Sequence, residues 1–491
     1  MTRLALLALL VGWVQPPAEV KLHGLFGDGM ILQRDAPCPV WGSAPAGADV
    51  TISMLGRTKS TKAGADGRWQ VKLDPMPAGG PHELRVNERT IRDVMVGEVW
   101  LASGGANMEM PVKAALLSKT EPDDSPVAMI RFFVVPRRDA EQPLKDVEGT
   151  WKNNRSEGVG DVSATAYFFA RELRHRLKVP VGFIQASVEG APGEMWISRE
   201  ALAAVPGLRL LTLPQSINLA NYEIANALHL ESVRKAKEAE ERGEKPPPIR
   251  PKLFKPASFS ANYNGMIAPL IPFAIRGAIL DHGEMETYRG NSYRSELAGI
   301  IEGWRKAWGQ GEFPFGYVQV TNRGRREEEI SETAMPKFRE AQALGLRVPN
   351  TGMVVTVDLS DGTTTQPRNK EEVGRRLALW AEHKAYGKTD VVYSGPIFDT
   401  LKIEGNKARL TFKNVGSGLK IGGDKLTGFS LASDFRRFFW ASAAIEGNSI
   451  VVTCEDVQWP AAVRYGWADN ADCNLFNQDG LPAVPFRTDN W

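Results

Sequence analysis

Trp100-Leu101-Ala102-Ser103-Gly104-Gly105-Ala106-Asn107-Met108-Glu109-Met110 couples an apolar run to a glycine pair and then to a short amphipathic stretch. An apolar run bounded by a glycine turn reads as a buried strand. A glycine-rich turn after such a strand commonly positions a nucleophile or turns backbone N–H groups toward an anion. The same architecture recurs downstream. Apolar runs at Glu98 to Ser103, Val181 to Ser187, Ile275 to Asp281, Phe315 to Thr321 and Met353 to Asp358 are separated by amphipathic segments such as Ser163 to Leu177, Ser292 to Trp308 and Glu332 to Ala343. Strands that are apolar throughout, alternating with helices, predict a parallel five-strand sheet covered on both faces, a three-layer α/β/α domain. Ligands of such sheets bind beyond the carboxyl ends of the strands, so the chemistry is sought at these five tails.

Outward from this core the periodicity changes to two. Val50-Thr51-Ile52-Ser53-Met54 and Trp69-Gln70-Val71-Lys72-Leu73 on one side, and Ala408-Arg409-Leu410-Thr411-Phe412 and Ser449-Ile450-Val451-Val452-Thr453 on the other, alternate apolar and polar residues between turn signals. This predicts flanking β-sandwich-like modules at 19–93 and 390–491 around an α/β domain at 94–389. Met1-Thr2-Arg3, the apolar run Leu4 to Val14 and the small-residue end at Ala18 read as a signal peptide over residues 1–18, and so as a secreted or periplasmic protein. The run is too short to span a bilayer, so no membrane span is expected. A charged segment, Glu231 to Glu244, reads as a solvated surface insertion.

With 60 basic and 58 acidic residues and no basic cluster interleaved with aromatics, the chain carries no nucleic-acid footprint. The three cysteines, Cys38, Cys454 and Cys473, show no metal-binding spacing and allow one disulfide at most, with Cys454 and Cys473 the expected pair. No metal and no cofactor is expected.

Several longer motifs occur in order: Met30-Ile31-Leu32-Gln33-Arg34, Pro39-Val40-Trp41-Gly42, Tyr263-Asn264-Gly265-Met266-Ile267-Ala268-Pro269-Leu270, Trp304-Arg305-Lys306-Ala307-Trp308, Pro367-Arg368-Asn369-Lys370 and Pro485-Phe486-Arg487-Thr488-Asp489-Asn490-Trp491. Together with the turn at Ser103 to Met108 they make the chain resemble the sialate O-acetylesterase family of the SGNH hydrolase superfamily over nearly its whole length. The resemblance implies a flavodoxin-like SGNH domain and hydrolysis of O-acetyl esters on sialic acid or other glycans. Family members would use a serine nucleophile, a histidine base oriented by an aspartate, and an oxyanion hole.

Position by position, the resemblance places the nucleophile at Ala106, the base at Gln366 and its acid partner at Thr364, none of which carries the family's residue. Alanine has no atom that attacks a carbonyl, and a primary amide moves no proton near neutral pH. The oxyanion-hole positions fall on Gly190 and on Glu286, the latter replacing an asparagine donor with a carboxylate. Glu189 adds a second acid beside Gly190. Gly105, Asn107, Glu194, His282 and Glu284 are the expected substrate-binding positions. The reading is of an exported pseudoenzyme that binds an acetylated or sialylated glycan. Two alternatives stand beside it: a hydrolase rebuilt around Asp281, His282, Glu284 and Glu286, and a non-catalytic scaffold. Alternation along a strand opposes the first, because Asp281 and His282 then face opposite ways.

Overall fold

The computed structural model describes residues 19–116, 129–251, 258–326, 330 and 332–491. The expected signal segment, residues 1–18, lies outside them. The element that organises the fold is β1 (Arg89–Gly104), buried without interruption from Val94 onward. Its first half pairs antiparallel with Gly79–Val86 and parallel with Ile31–Gln33. Its second half lies in the middle of the parallel sheet. The boundary expected at 93/94 therefore falls inside one continuous strand, and the N-terminal β region and the α/β domain share a sheet.

The remaining parallel strands are β2 (Ile130–Val134), β3 (Val181–Ser187), β4 (Gly277–Asp281), β5 (Phe315–Val318) and β6 (Thr351–Val354), in the spatial order β2-β3-β1-β4-β5-β6. Five of these were expected and β2 was not. Arg131 interrupts its short apolar run, and only the fold explains it: the guanidinium forms a fork with Asp93, at 2.6 and 2.9 Å. The dipeptide Lys152–Asn153 adds an antiparallel edge to β2.

Alternate residues of each strand feed two different cores, as the pleat requires. Trp100, Ala102, Phe183 and Ile279 pack with Phe169, Leu377 and Trp380 on one face, under α2 (Ala164–Leu177) and α5 (Lys370–Ala385). Val99, Leu101, Ile184 and Leu280 pack with Leu297, Trp304 and Phe338 on the other, under α3 (Gly290–Trp308) and α4 (Ala334–Leu344). Ser163 caps α2 through Ala166 N–H, and Asn369 caps α5 through Glu372 N–H at 3.2 Å. Both are the local hydrogen bonds that start a helix. The charged segment belongs to a longer helix, Pro206–Glu241, which Pro206 opens. Within its described residues from 221 on, only Ala236 and Ala239 are buried. No helix among the described residues is long and apolar enough to cross a membrane.

The C-terminal module packs two antiparallel four-stranded sheets around Leu410, Leu431, Ile450 and Tyr465. It is pinned to the α/β domain by Arg339, whose buried guanidinium donates to the carbonyls of Ala468 and Asp469, at 2.8 and 3.1 Å. Arg487 and Glu340 add an ion pair at 2.8 Å. Cys454 and Cys473 are both free thiols, contrary to the expected pairing. Cys473 is half-buried beside Tyr465 and Arg339, and desolvation pushes its thiol up to about 12.

Candidate active site

The site forms where β1 and β4 end side by side, with Gly104 in register with Asp281. A side-chain carbon on Gly104 would lie 2.0 Å from the Asp281 carbonyl oxygen, and φ there is +149°, so this close approach requires glycine. Gly105 N–H then donates to the same carbonyl at 2.9 Å. Ala106 opens the one-turn helix α1 (Ala106–Glu109) and is 5% exposed. A methyl group thus stands at the position where the resemblance leads one to expect a nucleophile.

Asn107 binds this turn to the base-position loop. Its Nδ2 donates to Thr365 O at 2.9 Å, and its Oδ1 accepts from Lys370 Nζ at 2.5 Å. Lys370 also lies 3.6 Å from Asp281 Oδ2, to which Thr165 Oγ1 donates at 3.4 Å. Both members of this pair are enclosed. Burial lowers the Lys370 ammonium and raises the Asp281 carboxyl, while each partner's charge opposes the other's shift. Gln366 is half-buried, and Thr364 is exposed. The Thr364 hydroxyl accepts from Gln366 N–H at 3.0 Å, so it serves the backbone of the loop and not the side chain of the base position.

Glu284 enters from the tail of β4. Its Oε1 accepts from Asn107 N–H at 3.1 Å and occupies the space a Gly105 side chain would need. Glu109 accepts from Glu189 N–H at 2.6 Å. Desolvation raises the Glu109 carboxyl, and the charges of Glu189 and Glu284 raise it further. Gly190 is exposed, has φ +73° and has open space where a side chain would project. Three carboxylates, Glu109, Glu189 and Glu284, thus meet here with the Arg137 guanidinium opposing them at Glu109, an excess of negative charge that does not suit a developing oxyanion.

Glu194, His282 and Glu286 belong to a buried cluster with Arg289, Tyr293 and Glu296. His282, 3% exposed, has Nε2 2.9 Å from Ala191 O and Nδ1 3.1 Å from the Tyr293 hydroxyl. Glu286 accepts from Gly193 N–H at 3.1 Å and from Arg289 Nη1 at 3.1 Å, and lies 3.5 Å from His282 Nδ1. Glu286 was expected at an oxyanion-hole position. It satisfies a backbone donor and pairs with a guanidinium. Asp281 and His282 diverge, the first toward Lys370 and the second toward Tyr293. Glu194, Glu286 and Glu296 each place an oxygen within 4.8 Å of the others. Arg289 Nη1 lies 2.7, 3.1 and 3.8 Å from the three, so a side-chain cation already holds the position a metal ion would take. Desolvation pushes the Glu286 carboxyl up to about 7 and the Glu296 carboxyl up to about 8, and repulsion within the cluster adds to both.

No family model matches the chain. The curated sialate O-acetylesterases of Homo sapiens and Rattus norvegicus are 27% and 29% identical to it over 540 and 518 residues. The alignments cover 98% and 93% of this chain and 95% and 92% of theirs. The crystal structure of a carbohydrate acetylesterase from Xanthomonas citri superposes with a TM-score of 0.79 at 35% identity, covering 96% of this chain and 100% of that one. Likeness of that extent in both sequence and fold places the chain in the sialate O-acetylesterase family, among acetyl-ester hydrolases.

Proposed function

We propose that this member of the family is exported, binds O-acetylated glycans and does not hydrolyse them. The observation that carries the reading is Ala106 at the start of α1, at the end of the central strand, where the family's chemistry needs a hydroxyl. Three further features support it. The base position holds an amide, and Ser103, the nearest upstream hydroxyl, is wholly enclosed with no hydrogen-bond partner among the described residues. His282, the residue on which a rebuilt site would centre, has both ring nitrogens engaged inside the protein. The acetylated or sialylated glycan follows from the family's substrates, and export follows from the apolar run Leu4 to Val14.

The test is a pair of measurements on the purified mature protein. Acetate release from O-acetylated sialosides and from acetylated neutral oligosaccharides is expected to stay at the rate of buffer with an unrelated protein. Calorimetric titration with the same ligands is expected to show saturable binding. Enzymatic turnover that survives repurification overturns the loss of catalysis. Absence of all binding leaves a scaffold role. Intact mass of exported material tests the leader: retention of residues 1–18 overturns export by this segment.

A further inference from the structure

Two cavities lie along the seam between the α/β domain and the C-terminal module, and neither belongs to the turn around Ala106. The larger, of about 680 Å³, is walled by the loop that carries Thr364, Pro367 and Arg368 and by Phe476 of the C-terminal module. The smaller, of about 290 Å³, is walled by Lys425 and Trp440. Both share Arg326, Asn470 and Asp472, so they adjoin across that group. The result is a path that starts at the base-position loop and ends at Trp440, which is 41% exposed.

The walls are built and not merely open. Asn470 is buried, and its Nδ2 donates to Gly324 O and Asp361 O, at 2.7 and 2.8 Å, which fixes two loops of the α/β domain against the module. Arg326 and Asp472 pair at 2.8 Å between the two cavities. Arg368 spends Nε on Ala114 O at 2.8 Å, and among the described residues its terminal nitrogens have no partner. The charged side chains of the path balance: Arg326, Arg368 and Lys425 against Asp358, Asp361 and Asp472. An aromatic residue in each cavity wall, Phe476 in one and Trp440 in the other, with donors and acceptors of balanced charge, matches a chain of neutral sugars. Each sugar offers an apolar C–H face and a hydroxyl edge. A cavity in the range of roughly 300–1,000 Å³ is the size of an ordinary ligand site.

We infer that this seam binds the neutral oligosaccharide chain of the glycan whose acetylated unit sits at the Ala106 turn. The inference rests on the glycan-binding reading above and narrows it. The ligand class is a neutral acetylated oligosaccharide, recognised over several units, and not a sialic acid recognised through its carboxylate.

Titration calorimetry of the mature protein decides it, using O-acetylated gluco-oligosaccharides of one, two, four and six units and O-acetylated sialyllactose. Affinity is expected to rise at least tenfold from one unit to four. Trp440→Ala and Arg368→Ala are each expected to lose most of that gain while binding of the single unit is unchanged, which also shows that the variants are folded. Affinity independent of chain length, indifference of the four-unit ligand to both substitutions, or sialyllactose as the tightest ligand would each overturn the inference. In all three cases binding at the Ala106 turn survives. Failure of every ligand at every length removes the glycan-binding reading itself, and the seam inference with it.

Discussion

The carboxylate of Glu284 stands against the bare Cα of Gly105: a side-chain carbon there would lie 2.6 Å from Glu284 Oε1. At Gly105 φ is −98° and ψ −149°, outside the extended range other residues favour, so a side chain there meets a backbone cost besides the steric one. Glu284 cannot swing away freely, because Oε1 accepts from Asn107 N–H. Gly105→Ala should therefore destabilise by about 1–3 kcal/mol, the usual cost of overpacking. In a Glu284→Ala background the same change should cost clearly less, since the obstructing oxygen is gone and only the backbone cost remains. Denaturation midpoints of the four proteins in this cycle measure the coupling. Equal costs in both backgrounds would show that Glu284 does not fill the space.

Restoring chemistry requires several residues at once. Ala106→Ser alone should leave acetate release within about tenfold of background, because a hydroxyl without a base is a poor nucleophile at neutral pH. The triple variant Ala106→Ser, Gln366→His, Thr364→Asp should exceed the single variant at least tenfold. An aspartate at 364 keeps the acceptor that Gln366 N–H now uses, and Asn107 continues to hold the loop through Thr365 O. The rate should remain far below an intact triad, because Glu109, Glu189 and Glu284 keep an excess of negative charge there. Glu286→Asn should not help, since Glu286 serves Gly193 and Arg289. Substantial activity from Ala106→Ser alone would reveal a base among residues assigned here to structure.

How far the sequence carried this site depends on where the backbone stays regular. The turn at Ser103 to Met108 was legible because a buried strand followed by paired glycines has few other uses. The direction of Glu286 was not. Beyond Asp281 the strand ends, and Gly283, with φ +115°, turns the chain against Phe338, where a side-chain carbon would lie at 2.6 Å. Strand alternation fails past such a turn, so it gives no direction for Glu286 or for its partners Gly193 and Arg289. Glu296 gave no signal at all, because it reaches the cluster only through the packing of α3. Strand β2 was hidden by Arg131, whose burial depends on Asp93 of a distant segment.

The cluster around Arg289 makes stability depend on pH. Glu286 and Glu296 have folded-state values raised above their unfolded ones, to about 7 and about 8. Groups of this kind bind protons more tightly in the folded state. Their contribution is fully present below about pH 4.5 and is lost as pH rises through 7 and 8. The melting temperature should therefore fall between pH 5.5 and pH 8.5, by an amount corresponding to roughly 1–3 kcal/mol. Glu296→Gln, which keeps the shape and removes one charge, should flatten that dependence. Arg289→Ala should steepen it, since three buried carboxylates then lose their shared cation. A melting temperature for Glu296→Gln that tracks the wild type across this window would show that Glu296 is not the titrating member.

Lys370 and Asp281 form an enclosed pair beneath the site. Lys370 Nζ is shared between Asp281 Oδ2, at 3.6 Å, and Asn107 Oδ1, at 2.5 Å, so one ammonium holds both the tail of β4 and the turn after β1. Lys370→Met leaves the Asp281 carboxylate buried without its cation, and breaking such a pair typically costs about 3–5 kcal/mol. Asp281 is already raised by burial, so protonation relieves part of that cost, and the loss should be smaller at pH 5 than at pH 8. The double variant Lys370→Met, Asp281→Leu removes both charges and should recover at least half of the lost stability, because apolar replacements of a buried pair are often neutral. Recovery should be incomplete, since Asn107 Oδ1 loses its donor in both variants. Chemical denaturation of the two variants at pH 5 and pH 8 separates these terms. A double variant no more stable than Lys370→Met would mean that the ammonium acts through Asn107 alone and that Asp281 is held by Thr165 and its own protonation.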